Sequence, residues 1–209
     1  MIFRLDDRLV FPDPVLAEPD GLLAVGGDLS TERLLLSYQN GIFPWYSDET
    51  PILWYSPHER FVIYADELKI STSMKRFLRK KPFTITVNKS FKEVIEACAT
   101  MERKDQDGTW ITADMQNAYL KLHQQGYAHS IEVWQGDNLI GGMYGIPVGN
   151  VFCGESMFSR VSNASKAALI YTCGLYKMID CQMPTEHLAS MGGRMISRKE
   201  YMDALRDSE

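Results

Sequence analysis

The residues best suited to chemistry fall in two short stretches. The first is Leu139 to Lys166, LIGGMYGIPVGNVFCGESMFSRVSNASK, where Glu155 follows Phe152 and Cys153 along an apolar run. An acid in such company has either a partner or a perturbed pKa. The stretch closes on Ser162-Asn163 ahead of an Ala-rich run from Ala164, which reads as a strand opening into a capped helix. Backbone N–H groups at such a junction suit a phosphate or carboxylate, and an ordinary strand-to-helix turn explains the same residues. The second stretch is Met178 to Gln182, which reads as a strand. Alternation along it puts the Asp180 and Gln182 side chains on one face with Cys181 opposite.

Other chemistries find little support. Cys98, Cys153, Cys173 and Cys181 form no CxxC pair and sit among apolar residues, so they read as buried, reduced thiols. His58, His123, His129 and His187 have no HExxH or comparable spacing, and no metal site is expected. Neither a GxSxG elbow nor a papain-like cysteine signature is present. The net charge of −5 argues against a surface coated with basic residues, yet Lys75, Arg76, Arg79, Lys80 and Lys81 place five of the 22 basic residues within seven positions. At spacings of three and four, Lys75, Arg76, Arg79 and Lys80 share one face of a short helix while Met74, Phe77 and Leu78 face the protein. No acid interrupts the run between Ile70 and Ser90, so a polyanion partner and a solvated face are both open readings.

The elements that must position these groups follow from turn and cap signals. Gly149-Asn150 joins the runs Leu139 to Val148 and Val151 to Phe158 into a hairpin of central strands. Pro12, Pro14, Pro19 and Gly26-Gly27 make residues 1–29 an extended, turn-rich segment, after which Ser30 caps a helix that ends before Gly41. Phe43, Trp45, Tyr46, Trp54 and Tyr55 then crowd aromatic rings among prolines, as a packed interface or a stacking surface. Strands are expected over Arg60 to Ala65, Phe83 to Val87 and Ala128 to Trp134. Helices are expected after Ser71 or Thr72, after Ser90 with Glu93 as a capping box, and from Thr112 to Gln124; a short one covers Thr185 to Ser190 and a last one starts at Ser197. Met101 to Gly108 is read as a charged loop. The mixture predicts an α+β fold with a partly antiparallel sheet behind a small N-terminal domain. A length of 209 residues with 45% hydrophobic content describes a globular chain; no apolar run is long enough for a membrane span, and the charges of MIFRLDDR stand where a signal peptide needs an apolar core. A soluble, cytoplasmic protein is expected.

With these motifs assembled, the chain resembles the leucyl/phenylalanyl-tRNA protein transferase family along nearly its whole length. The resemblance rests on DGLLAVGGDLSTERLLLSYQNGIFPWY at 20–46, WITADMQNAYLKLHQQGYAHSIEVW at 110–134, GGMYG at 141–145, FCGESMFSRVSNASKAAL at 152–169, and DCQ with HLASMGG within 180–193. Five such stretches in the family's order are specific. Between Lys166 and Asp180 the chain looks several residues shorter than the family pattern, and it ends soon after its last helix. The small N-terminal α/β domain is expected over 1–62, and the resemblance implies a catalytic domain similar to the GCN5-related N-acetyltransferase fold over 63–209. It also implies transfer of leucine or phenylalanine, with methionine a further candidate, from aminoacyl-tRNA to proteins that begin with arginine or lysine. That modification would mark them for degradation through the bacterial N-degron pathway. No cofactor, metal or membrane is implied, and a monomer is expected.

The implied reaction is aminolysis of an already activated ester by an α-amine of pKa about 7.7 to 8, so positioning and oxyanion stabilisation suffice. The resemblance implies that the Gln182 carbonyl oxygen accepts a hydrogen bond from the attacking amine while Asp180 orients that arrangement. An amide is too weak a base to do more than align the lone pair. Glu155 either orients Gln182 or attracts the cationic side chain of the acceptor. Met143 and Phe152, with Ile179, are the candidates for an adaptable pocket that takes both leucine and phenylalanine. Trp45 and Trp110 are the candidates for stacking on the tRNA 3′ end, and Lys75, Arg76, Arg79 and Lys80 for its phosphates. Two alternatives compete. A CoA-dependent acetyltransferase would carry an R/Q-x-x-G-x-G/A loop, but the best match starts at Arg160 and has Asn163 and Ser165 in place of the glycines. A non-catalytic RNA-binding module would tolerate loss of Asp180 and Gln182.

Overall fold

The computed structural model describes residues 2–101 and 110–207. Most of the charged loop expected over Met101 to Gly108 lies outside them. The chain runs through β1 (Phe3–Leu5), β2 (Leu22–Gly26), α1 (Thr31–Gln39), β3 (Phe43–Pro44), β4 (Leu53–Tyr55) and β5 (Glu59–Tyr64). It continues through α2 (Thr72–Arg79), β6 (Thr84–Val87), α3 (Phe91–Thr100), α4 (Ala113–Gln124), β7 (His129–Gln135), β8 (Asn138–Val148) and β9 (Val151–Ser159). The last elements are α5 (Ala164–Cys173), β10 (Met178–Gln182), α6 (Glu186–Ser190), β11 (Arg194–Ser197) and α7 (Arg198–Arg206). The fold is α+β. A small sheet has the order β1-β2-β4-β3, and a seven-stranded sheet the order β11-β5-β10-β9-β8-β7-β6. Within the larger sheet β9 and β10 run parallel and every other pair antiparallel.

The central hairpin forms as its turn signal requires: β8 and β9 pair from Val148↔Val151 outward, and Gly149 takes the positive φ of 55° that a two-residue turn needs. The glycines of GGMYG allow close approach from both sides. A Cβ on Gly141 would lie 2.6 Å from the Ala164 methyl at the start of α5, and one on Gly145 would lie 2.1 Å from the Cys153 carbonyl oxygen. Ser30, Ser71, Thr112 and Ser197 cap their helices by accepting from the backbone N–H groups of Arg33, Met74, Met115 and Glu200.

Two expected caps differ. Asn163 precedes α5 in the left-handed region at φ 72° without a side-chain cap, and the Ser165 N–H donates instead to Ser159 Oγ at 3.3 Å. Ser90 precedes α3 without using its hydroxyl; the Lys89 and Ser90 N–H groups donate at 3.4 Å to the fully buried Glu132 carboxylate of β7. A carboxylate from a neighbouring strand thus serves the positive end of α3. The four strands of the small sheet and β11 span two to five residues each, too short for a periodic signal.

The core has two apolar clusters, one on each side of the larger sheet. The first joins Leu23 and Trp54 of the small sheet to Tyr119, Tyr144 and Phe158; the second holds Met143, Phe152, Leu169 and Ile179. Met74 is buried in the second cluster with Phe77 and Leu78 against it, as the apolar face of α2 predicts. Among the described residues, no helix is long and apolar enough to cross a membrane.

Candidate active site

A cleft of about 770 Å³ opens where β10 ends beside the middle of β9, walled by Phe43 to Trp45 on one side and by Trp110 and the chain around α6 on others. Its floor is set by strand register. Met178, Ile179 and Asp180 of β10 lie beside Val151, Phe152 and Cys153 of β9, so Ile179 falls on the face of the second apolar cluster while Asp180 turns to the first. The expected alternation then breaks. The pairing of β10 with β5 shifts between Asp180 and Gln182, and Gln182 takes φ 60°. Such a left-handed position costs a non-glycine residue on the order of 1 kcal/mol or more, and an observed outlier of this kind in a cleft points to function. Its stabiliser is adjacent: the Gln182 N–H donates to Asp180 Oδ1 at 2.9 Å.

Gln182 is fixed at its other end by Glu155. The amide Nε2 donates to Glu155 Oε1 at 3.1 Å, which leaves the amide carbonyl as the group's free acceptor in the cleft. Glu155 Oε2 accepts from the Tyr119 hydroxyl at 3.0 Å, and the Tyr119 hydroxyl bonds in turn to that of Tyr38. Burial pushes the Glu155 carboxyl from its ordinary 4.5 up to about 7, against the hydrogen bonds from Tyr38, Tyr119 and Gln182 that favour its charged form. Burial likewise raises both tyrosines well above their ordinary range, so they act as hydroxyl donors and not as phenolates.

Asp180 is 1% exposed. Its Oδ2 accepts from the Tyr201 hydroxyl at 2.8 Å and lies 3.7 Å from Nη1 of the buried Arg60. Burial also pushes the nearby Cys153 thiol upward, which keeps it protonated and makes it a poor nucleophile.

Asp180, Gln182, Glu155, Met143, Ile179, Trp45 and Trp110 all line this one cleft, although they come from sequence positions more than 130 residues apart. Phe152 does not line it. The ring is fully buried in the second cluster, 5.0 Å from that of Tyr176, and the β9 residues that do line the cleft begin further along the strand at Gly154. Lys75, Arg76, Arg79 and Lys80 are exposed along α2 and do not line the cleft either.

Several residues that touch the site carry no signal as functional groups in the sequence. Tyr38 reads as one apolar position of α1 and Tyr119 as one of α4; the only hint is that a buried tyrosine needs a partner for its hydroxyl. Arg60, Tyr201 and His187 are equally silent, and Phe43 stands out only as one of the crowded aromatic residues between 43 and 55. His187 lines the cleft with Nε2 buried and without a hydrogen-bond partner, and burial followed by the charge of Lys166 lowers its pKa. Among the described residues no group of three or more His, Cys, Asp or Glu side chains could hold a metal ion.

Comparison with known proteins identifies the family. The family model described as leucyl/phenylalanyl-tRNA protein transferase matches residues 62–206, and that of the same family's N-terminal domain matches 27–58. A leucyl/phenylalanyl-tRNA–protein transferase of Syntrophus aciditrophicus is 56% identical over 99% of this chain and 89% of its own length. Those of Syntrophobacter fumaroxidans and Flavobacterium johnsoniae are each 52% identical, covering 99% and 98% of this chain and 91% and 99% of their own. With relatives at this identity over almost its full length and a family model over most of it, the chain belongs to the leucyl/phenylalanyl-tRNA protein transferase family.

Proposed function

We propose that this protein transfers leucine or phenylalanine from aminoacyl-tRNA to the α-amine of proteins that begin with arginine or lysine, forming a peptide bond that marks them for the N-degron pathway. The observation that carries the reading is the fixed amide of Gln182: its Nε2 is held by Glu155 and its backbone by Asp180, with its carbonyl left to the cleft. A carbonyl so placed accepts a hydrogen bond from the incoming amine and aims its lone pair at the ester carbon. The rate gain then comes from orientation, since the ester is already activated and a neutral amine is available near pH 8. In this account Asp180 and Glu155 act by orienting Gln182. As the tetrahedral intermediate collapses the C–O bond to the tRNA breaks, and the proton lost by the amine passes to the departing 3′ oxygen, which leaves as the hydroxyl.

The aminoacyl side chain is taken by the apolar part of the cleft. Met143 and Ile179 line it, and Phe152 backs it from within the same cluster. Trp45 and Trp110 stand where rings could hold the terminal adenine, and the Lys75, Arg76, Arg79 and Lys80 face takes phosphates further along the acceptor stem. The same reading assigns Trp45 to an N-terminal domain over 1–62, and Trp110 and the chemistry to a GCN5-like domain over 63–209, acting as a cytoplasmic monomer with no cofactor. The test is transfer of radiolabelled leucine from charged tRNA to a peptide beginning with arginine, beside a peptide beginning with glutamate and a reaction given acetyl-CoA. Label on the arginine peptide alone is expected. Acetylation, or tRNA binding without transfer, would overturn the reading.

A further inference from the structure

Arg60 is 3% exposed, and its guanidinium touches both halves of the site. It lies between two rings, 4.7 Å from the Phe43 centroid and 4.5 Å from that of Tyr201. On one edge Nη2 donates to the Gly41 carbonyl at 2.7 Å. On the other, Nη1 stands 3.7 Å from Asp180 Oδ2 and has no hydrogen-bond partner. Gly41, at φ 66°, makes the turn into Phe43, Pro44 and Trp45, which form the cleft wall. Asp180 holds the left-handed backbone of Gln182. Burial opposes the charge of Arg60, and Asp180 with Tyr201 behind it raises its pKa above the ordinary value.

We infer that Arg60 is a positioning residue that sets the aromatic wall at Trp45 against the Gln182 amide, by bridging the Gly41 carbonyl and the Asp180 carboxylate with one rigid guanidinium. The inference rests on the transferase reading above and adds to it a specific coupling. The Tyr201 hydroxyl bonds Asp180 and Cys153 Sγ, whereas the Arg60 guanidinium makes polar contacts to both the Gly41 carbonyl and the Asp180 carboxylate. The planar fork is what permits this. A lysine ammonium is a point charge on a flexible stem and can serve the carboxylate or the carbonyl, not both in fixed geometry.

The test compares steady-state kcat and KM for leucyl-tRNA in the wild type, Arg60→Met, Arg60→Lys and Tyr201→Phe, with the folded fraction of each measured by circular dichroism. Arg60→Met is expected to lower kcat/KM by about 100-fold, as a displacement of about 1 Å at a reacting centre does, through both a lower kcat and a higher KM. Arg60→Lys is expected to recover most of kcat while KM stays raised. Tyr201→Phe is expected to lower kcat by about tenfold, the worth of one hydrogen bond to a charged acceptor, with KM unchanged. A residue that merely stabilised the fold would scale kcat with the folded fraction and leave KM alone. Wild-type KM in Arg60→Lys, or wild-type kcat in Tyr201→Phe, overturns the inference; these two variants carry the test if Arg60→Met does not fold. An inactive wild type in the same assay would instead refute the transferase reading itself.

Discussion

Replacing Glu155 by glutamine keeps the size of the side chain and removes its charge, and two effects of opposite sign follow. Holding the carboxylate ionised in its buried site opposes folding. The distance from 4.5 to about 7, at about 1.36 kcal/mol for each step of one in pKa, is on the order of 3 kcal/mol. The folded protein keeps a proton that the unfolded chain has already released, so this cost grows from pH 4.5 upward and is complete above about 7. Glu155→Gln should therefore be more stable than the wild type at pH 8, with the advantage shrinking as pH falls toward 5. Activity should move the other way. A glutamine at 155 presents an oxygen and an NH₂ where the carboxylate presents two acceptors, so the Gln182 amide is no longer held in one orientation. Loss of a charge-assisted hydrogen bond of about 1.5 to 3 kcal/mol predicts a fall in kcat of roughly 10- to 100-fold at pH 8. Thermal melts at pH 5.5 and 8, with kcat and KM for an arginine peptide, measure both. A raised KM for the peptide with unchanged kcat would refute the reasoning and place Glu155 against the acceptor's cationic side chain. Equal stability at both pH values would refute the burial argument.

The remaining expectations concern tRNA, selectivity and pH. Alanine at Lys75, Arg76, Arg79 and Lys80 together should raise KM for leucyl-tRNA and leave kcat at saturation unchanged. The salt slope of binding should fall by about 0.7 to 0.9 for each phosphate no longer neutralised, measured by titration across salt concentrations. Trp45→Ala and Trp110→Ala should each weaken binding of the aminoacylated 3′ end by about 1 to 3 kcal/mol, read by competition with aminoacyl-adenosine. Met143→Ala, by deepening the pocket, should raise the preference for phenylalanine over leucine by about tenfold in kcat/KM. Phe152→Ala should instead lower stability by about 3 to 5 kcal/mol with little change in that ratio, since its ring sits beneath the cleft floor. In the wild type, kcat should fall as pH drops through about 7, because a protonated Glu155 can donate to Gln182 and turn its amide.

What the sequence discloses is local chemistry with a local cause. The Gly149-Asn150 turn, the caps at Ser30, Ser71, Thr112 and Ser197 and the apolar face of α2 each depend on a few neighbouring residues, and each forms as read. Asp180 and Gln182 do meet in one cleft, but not through a shared strand face. Plain strand alternation is the expectation, whereas a register shift and a left-handed Gln182 held by the Asp180 carboxylate place the amide. Groups whose role depends on distant partners stay hidden. Tyr38 and Tyr119, 81 residues apart, meet only because α1 and α4 both pack on the first core cluster, and nothing local marks either as a donor to Glu155. Glu132 is likewise an ordinary acid in sequence until the sheet brings it under the start of α3. Phe152 shows the opposite limit: its side chain suits the pocket, but its ring is buried against Tyr176 ahead of the β9 residues that line the cleft.

The most direct test is the single-turnover rate of leucine transfer from pre-bound leucyl-tRNA to an arginine peptide, measured side by side for the wild type and Gln182→Ala. The account predicts rapid peptide-bond formation by the wild type and a rate at least about 100-fold lower for the variant, at unchanged affinity for leucyl-tRNA. Equal rates, or no transfer by the wild type, would contradict it.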